Sequence, residues 1–162
     1  MIAKEKDETE REESEELFFS AVRLAMKSAK ELCGLDPKEK RITLKRLGYE
    51  LGHSASRYLK ATTMEELIDE LSLIWSSYSL GQLELFSLKP LILDIYDCYD
   101  CLGNRYGVGV TLCPFKEGFL KAILEDKLGL KNEIVEIECC GTFQTHCKFE
   151  IKTKEFEGGN KF

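Results

Sequence analysis

The chain has 162 residues, of which 43% are hydrophobic and 32% charged, and its net charge is −6. A chain of this length buries roughly 70% of its unfolded surface in one core, which excludes disorder over most of it. No apolar run approaches the ~20 residues that span a bilayer, and residues 1–16 lack the apolar stretch of a secretory signal. The acidic balance excludes the basic surface that nucleic acid requires. We therefore expect a cytoplasmic protein with no membrane span and no nucleic-acid partner.

The N-terminal segment is predicted to be a charged extension followed by a helix. Residues 1–16 carry eight acidic and three basic side chains, so the remaining chain is nearly neutral. We expect this extension to be frayed at its start. Apolar residues then recur at helical spacing from Leu17, and Gly34 is predicted to end the helix as a left-handed cap.

Two further helices are predicted before residue 80. Asp36 is placed as an N-cap in front of Pro37, and the helix runs to about Lys60 with Ile42 among its buried residues. Thr63 and Glu66 have the spacing of a capping box, which opens a third helix. The sequence thus predicts a helical part over residues 17–80.

The apolar pattern changes to a period of two after residue 81. It alternates on both sides of Pro90, which predicts two strands, and two more are predicted over 133–139 and 146–153. Between the pairs, a helix from Phe115 to Leu128 is stopped by Gly129. The predicted fold class is α+β: a helical N-terminal half, then a small, mainly antiparallel sheet with one crossover helix, in a single domain over 17–154. Residues 155–162 are predicted to be a loose tail.

Cysteine is the unusual residue of this composition. There are seven cysteines: Cys33, Cys98, Cys101, Cys113, Cys139, Cys140 and Cys147. All except Cys33 fall within a window of 50 residues. In a reducing compartment such a cluster is more often metal-binding or redox-active than a disulfide framework. Plain burial as small apolar side chains is the alternative, which we favour for Cys33.

Connectivity decides whether these thiols meet. If the strand before Cys98 leads by a long loop into the helix at Phe115, the strand after that helix runs parallel to the first. Five thiols then lie at one end of the sheet. In the competing topology, residues 105–112 form a strand that separates Cys98 and Cys101 from the others. The remaining trio then recruits His146 or Cys140. The glycines in that segment favour the long loop.

The predicted metal ligands are therefore four of five cysteines: Cys98, Cys101, Cys113, Cys139 and Cys147. The Cys98-Tyr-Asp-Cys101-Leu-Gly103 segment has the form of a zinc knuckle, which favours zinc over an iron–sulfur cluster. Four thiolates would close the coordination shell and make the site structural.

Other side chains give weaker indications of function. Five aromatic residues could line an apolar pocket between the helices and the sheet, although such residues more often form plain core: Trp75, Tyr78, Phe86, Phe115 and Phe119. Asp94, which alternates with apolar residues, is expected on a solvated strand face, and His53 on the surface. No catalytic dyad or triad can be argued from spacing.

Residues 91–151 resemble the 4-vinyl reductase-like domain family, a small-molecule-binding module. The matching segments are Asp97-Cys98-Tyr99-Asp100-Cys101, Cys113-Pro114-Phe115, Gly118-Phe119-Leu120, Glu136-Ile137-Glu138-Cys139 and Cys147-Lys148-Phe149-Glu150-Ile151. The resemblance implies a fold similar to the vesicle-tethering TRAPP subunits. It also implies ligand sensing, as in bacterial regulators of aromatic catabolism, and the same five cysteines as the site.

Our leading hypothesis is a zinc-stabilised domain that binds a hydrophobic small molecule, a hydrocarbon or an aromatic, and forms a homodimer. One alternative is a TRAPP-like scaffold or protein-interaction module. A second is a tetrapyrrole vinyl reductase or its accessory protein, for which the sequence shows no nicotinamide or flavin fingerprint.

Overall fold

The computed structural model describes residues 2–30, 36–99, 101, 113–142 and 144–153. It contains four helices: α1 (Ile2–Lys30), α2 (Pro37–Ser56), α3 (Met64–Ser77) and α4 (Pro114–Leu128). Its four strands are β1 (Gln82–Leu88), β2 (Leu91–Tyr96), β3 (Asn132–Glu138) and β4 (Cys147–Thr153), with a 3₁₀ turn at Cys140–Thr142. The α+β prediction is confirmed.

The sheet has the strand order β1-β2-β4-β3, and every neighbouring pair is antiparallel. Since β2 and β3 both run antiparallel to β4, they run parallel to each other, and α4 is the crossover helix between them. The end of β2, the end of β3 and the start of β4 therefore share one edge of the sheet. This is the arrangement that the long-loop topology requires.

Local sequence signals set most of the helix ends. Asp36 caps α2 by accepting hydrogen bonds from the backbone amides of Lys38 and Glu39 at 2.8 and 3.2 Å. Thr63 and Glu66 form the predicted capping box at the start of α3. Gly129 ends α4 with a φ of 65°, a conformation that glycine adopts without strain.

The structure corrects the predictions for the start of the first helix, the end of the second helix and the burial of Ile42. Other predictions concern residues that the structure does not describe. The charged segment expected to fray is helical from Ile2 and belongs to α1. The second helix ends at Ser56 rather than near Lys60, and Ile42 is 59% exposed instead of buried. The predicted cap at Gly34, the strand over 105–112 and the tail over 155–162 lie outside the described residues.

The core lies between the helices and the sheet. Helix α3 packs against β1, α4 packs against β3, and α2 packs on α4. Large apolar side chains that are almost completely buried come from α1, α3, α4 and the two central strands: Phe19, Trp75, Phe119, Ile95 and Phe149.

Glycines bring α2 and α4 unusually close. A Cβ atom at Gly118 would collide with the carbonyl oxygen of Lys45, and one at Gly48 would collide with that of Phe115. The two backbones therefore touch at positions where only glycine fits. This contact fixes the start of α4, which carries residues of the site described next.

Candidate metal centre

Six cysteines reach one edge of the sheet from four points of the fold. Cys98 and Cys101 follow β2, and Cys113 directly precedes α4. Cys139 and Cys140 follow β3, and Cys147 opens β4. Because β2 and β3 end where β4 begins, their sulfurs converge, and the competing topology is wrong in separating the first pair from the others.

The sulfur–sulfur distances are short enough for one metal ion to contact several of the thiolates. Cys101 Sγ lies 3.4 Å from Cys113 Sγ, 3.3 Å from Cys139 Sγ and 3.5 Å from Cys147 Sγ. Cys147 Sγ lies 3.9 Å from both Cys113 Sγ and Cys139 Sγ. Zinc–sulfur bonds of about 2.3 Å in a tetrahedron place neighbouring sulfurs about 3.8 Å apart. These four cysteines could hold one tetrahedral ion.

The cluster is buried. Cys98, Cys113 and Cys147 are completely inaccessible, Cys139 and Cys101 nearly so, and only Cys140 is partly exposed. Hydrogen bonds from the thiols of Cys101, Cys113 and Cys147 hold the pKa of Cys139 far below its ordinary value. The pKa of Cys147 is raised, first by its hydrogen bond to Cys101. Thiols packed this closely favour at least one thiolate, the form that binds metals.

Cys140 belongs to the cluster although it was not among the five predicted ligands. Its Sγ lies 3.6 Å from Cys147 Sγ, and its backbone amide donates to the same sulfur at 3.5 Å. The sequence offered Cys140 only as an alternative fourth ligand. Its competitor there, His146, instead pairs with Asp94, with Nε2 and Oδ2 3.4 Å apart, and its ring lies against Tyr96.

Two ionisable residues at the site, Lys116 and Glu136, were not among the predicted site residues. The ammonium of Lys116, completely buried, donates to Cys98 Sγ at 3.0 Å. Glu136, which is 2% exposed, accepts from the backbone amide of Cys113 at 3.1 Å. Burial and then the negative charge of Cys139 raise the pKa of Glu136 to about 8. Both residues reach the cluster only through the packing of α4 on β3, which no short motif encodes.

The five predicted pocket residues lie in three places. Trp75, Phe115 and Phe119 form a buried aromatic row, with Phe119 at 5.7 Å from Trp75 and 5.9 Å from Phe115 between ring centroids. Tyr78 stacks on Phe19 at 5.0 Å. Phe86 is 61% exposed on β1, with the Lys148 ammonium 4.0 Å from its ring centroid.

The aromatic row contains one unsatisfied polar atom. Trp75 is 1% exposed, and its Nε1 has no hydrogen-bond partner among the described residues. A separate open groove of about 500 Å³ lies beside α4, but charged and polar residues line it, among them His53, Lys121, Asp126 and Asn132. The side chains of the aromatic row themselves belong to the buried core.

Comparison with known proteins gives the family. The chain is 31% identical to the uncharacterized protein MJ0150 of Methanocaldococcus jannaschii over 141 residues, which are 85% of this chain and 75% of that protein. The chain belongs to the same family as MJ0150. It is also 35% identical over 106 residues to MJ1642 of the same organism, of which it spans 63%. No protein-family model matches the MJ0150-like chain.

Solved structures share the fold at low sequence identity. The phenol-responsive sensory domain of the transcription activator PoxR, solved with phenol, aligns with a TM-score of 0.61 and 13% identity, over 83% of this chain and 74% of that one. A trafficking protein particle complex subunit 3 from Naegleria fowleri, covalently bound to palmitic acid, aligns with a TM-score of 0.61 and 12% identity, over 89% and 96%. A vinyl-4-reductase family protein from M. jannaschii gives a TM-score of 0.49 and 19% identity, over 84% and 92%.

Across the described ranges, no helix combines the length and the apolar character needed to cross a bilayer.

Proposed function

We propose that this protein is a zinc-stabilised ligand-binding domain for a hydrophobic small molecule, of the 4-vinyl reductase-like type, working in the reducing cytoplasm. The convergence of four buried cysteine sulfurs within 4.8 Å of one another is the observation that carries the metal half of this proposal. The two fold neighbours with a TM-score of 0.61 support the ligand half, since one was solved with phenol and the other with palmitic acid.

Zinc suits the donor set better than the alternatives. Thiolates are soft ligands that select zinc, copper(I) or iron–sulfur clusters. In a buried cluster a divalent ion also offsets the negative charge that several thiolates bring into the core. With four sulfurs around it, the ion has no open position for water, so its role is to hold the ends of β2 and β3, the start of α4 and the start of β4 together.

A measurement of metal content directly tests the proposal that the protein binds zinc. We expect untagged protein, purified without added chelator, to contain zinc by plasma mass spectrometry, with the cluster thiols protected from a thiol reagent until the metal is chelated. Protein that contains no metal and shows all seven thiols free would overturn the metal proposal.

The ligand half rests on the aromatic row. We propose that Trp75, Phe115 and Phe119 bound the ligand site, without Tyr78 and Phe86, which lie in other places. The buried Nε1–H of Trp75 would then donate to a hydroxyl or carboxyl oxygen of the ligand. A buried donor without a partner costs free energy that such a ligand would recover.

A comparison of phenol with toluene distinguishes the proposed hydrogen bond to Trp75 Nε1 from apolar contacts with the aromatic row, because only phenol carries a hydroxyl group. Trp75 is the only tryptophan of the chain, so ligand entry should change its fluorescence. Phenol should raise the melting temperature more than toluene, and Trp75→Phe should reduce the phenol effect while leaving the toluene effect unchanged. If neither compound, nor palmitic acid, changes the fluorescence or the melting temperature, the ligand proposal fails.

Exposed apolar residues on α1 favour association of this chain with another protein chain. We propose that the second chain is a copy of the same protein, which gives a homodimer. The second candidate function is a scaffold module, in which this surface binds a different protein. Leu17 and Leu24 are 73% and 64% exposed, and a spacing of seven places them on one face of the helix. We expect light scattering to show a dimer and Leu17→Glu/Leu24→Glu to give a monomer. A wild-type monomer would contradict the homodimer.

A further inference from the structure

The cluster contains more sulfurs than one ion can use. A tetrahedral ion takes four thiolates, but six cysteines lie together here, and five of them are almost completely buried. A single ion would therefore leave two thiols without a role. Building on the metal site proposed above, we propose that the cluster holds two divalent ions, bridged by the sulfurs of Cys101 and Cys147.

The six sulfurs form two groups of four. Within each group, all sulfurs lie within 4.8 Å of one another, and the groups are Cys98, Cys101, Cys140, Cys147 and Cys101, Cys113, Cys139, Cys147. Both groups contain Cys101 and Cys147, whose sulfurs are 3.5 Å apart. Two tetrahedra that share an edge have two ligands in common and two of their own, which is the composition of these groups.

Neighbouring cysteines along the chain are divided between the two groups. Cys139 belongs to one group and Cys140 to the other, so the turn after β3 supplies one ligand to each ion. The segment after β2 supplies Cys98 to one group and Cys101 to both. Cys147 Sγ accepts the Cys140 amide at 3.5 Å, a hydrogen bond of the kind that stabilises a shared thiolate.

Charge favours the second ion. Four thiolates around one divalent cation carry a formal charge of −2, and six thiolates around two such cations carry the same charge. The second ion thus engages two more sulfurs without adding net charge to the core. Lys116, completely buried, donates to Cys98 Sγ at 3.0 Å and offsets part of the remaining negative charge.

The distances also favour single ions over an iron–sulfur cluster. In such a cluster, irons and sulfides lie between the cysteine ligands and keep their sulfurs apart. Here seven sulfur pairs lie between 3.3 and 3.9 Å. Zinc, cadmium and cobalt(II) are the divalent ions that suit such a set of thiolates.

Cadmium titration of the full-length, reduced, metal-free chain tests the proposal. We expect two Cd²⁺ per chain by native mass spectrometry and two ¹¹³Cd resonances in the region of four-thiolate coordination. Because only six sulfurs are present in the groups, two such resonances require bridging. Saturation at one Cd²⁺ per chain overturns the two-ion cluster and leaves the single zinc site of the proposed function intact. Binding of no Cd²⁺ overturns both.

Paired variants test the assignment of ligands. Cys98→Ser/Cys140→Ser removes both separate ligands of one group, so we expect it to bind one Cd²⁺ through the intact second group. The matched control is Cys33→Ser, which should still bind two. A double variant that binds two ions, or a control that binds one, contradicts the assignment. If the double variant does not fold, the wild-type stoichiometry still decides the proposal.

Discussion

Glu117 is a buried carboxylate on which several elements depend. It is completely buried and accepts from Arg41 Nη2 at 2.7 and 2.9 Å, lies 3.2 Å from Lys45 Nζ, and accepts from the backbone amide of Glu136 at 3.1 Å. It therefore joins α2, α4 and β3 directly beside the cysteine cluster. A buried charge that keeps such partners is costly to disrupt, because each partner then loses its compensation.

We expect Glu117→Gln to lower the free energy of unfolding by about 2–4 kcal/mol, measured by urea denaturation. The neutral amide keeps the shape but loses both cationic partners. Glu150→Gln is the control, since Glu150 pairs with an exposed lysine, Lys152, at 3.2 Å. That change should cost less than about 1 kcal/mol. An equal decrease in the free energy of unfolding in both variants would mean that the buried ion pairs of Glu117 stabilise the protein no more than the exposed pair of Glu150.

Asp94 shows why a residue pattern misjudges some polar side chains. Alternation along β2 predicted a solvated carboxylate, but Asp94 is 3% exposed and lies 3.4 Å from His146 and 3.7 Å from Lys148. Lys148 is its register partner on β4, more than 50 residues later in the chain. A cross-strand cation makes burial tolerable, and only the strand pairing reveals it. The prediction for Asp94 was wrong for this reason.

The capping box of α3 offers a pH-dependent prediction at the scale of one element. Hydrogen bonds to Glu66, first from the backbone amide of Thr62, lower its pKa. A carboxyl with a lowered folded-state pKa stabilises the protein above its unfolded-state pKa, and that stabilisation is lost as the pH falls through the folded-state pKa. Glu66→Gln should therefore be less stable than the wild type at pH 7, and the difference should shrink as the pH falls below about 4.3, the ordinary glutamate pKa, and through the lower folded-state pKa.

Chemical denaturation at several pH values measures this difference. Glu65→Gln is the matched control, because the neighbouring carboxylate lies in the same helical turn but is not the capping-box glutamate. It should show a smaller difference at pH 7. A Glu66→Gln difference that stays constant from pH 7 to pH 3 would contradict the assignment.

The close contact of α2 and α4 leads to a second prediction at the scale of secondary-structure elements, which concerns the stability of two glycine variants. Gly118→Ala introduces a Cβ atom against the backbone of α2 at Lys45, which cannot move without separating the helices. We expect a loss of more than about 2 kcal/mol. Gly129→Ala, at a φ of 65° with open space around it, should cost only about 1 kcal/mol. Thermal denaturation ranks the two, and a smaller effect at Gly118 would contradict this account.

Helix ends were predictable where a few neighbouring residues decide them. The caps at Asp36, Thr63 and Gly129 are confirmed because each needs only one turn of chain. The length of α1 was not predictable in this way. Arg11 Nη2 donates to the carbonyl oxygen of Tyr58 at 3.3 Å, and Ser14 Oγ lies 3.1 Å from the Tyr58 hydroxyl. These contacts, over 40 residues away in sequence, hold the charged segment against the fold as helix.

At the scale of the whole molecule, connectivity predicted the candidate site better than any motif did. The crossover helix α4 connects two parallel strands, β2 and β3, and the five expected cysteines lie together at the edge where both strands end. Cys140, Lys116 and Glu136 joined them through packing that has no local signature. The aromatic residues were less predictable, since a period of two does not say whether a side chain such as Phe86 meets another layer or solvent.

Metal removal should therefore destabilise the whole fold. A ligand present at a thousand times its Kd stabilises a folded protein by about 4 kcal/mol, and each kcal/mol moves the Tm of a domain this size by about 2–4 °C. We expect a chelator to lower the Tm by on the order of 10 °C. Calorimetry with and without chelator, followed by re-addition of zinc, measures it.

Calorimetry with and without chelator at lower pH shows whether zinc binding is coupled to the release of protons. Zinc binds thiolates, so binding releases protons, and acidification favours the thiols and releases the metal. The difference in Tm between zinc-loaded and chelated protein should shrink as the pH falls from 8 to 5. Cys101→Ser/Cys147→Ser, which lacks both sulfurs common to the two groups, should show no chelator effect at either pH. A constant difference across this range would mean that the stabilising ligand is not bound through thiolates.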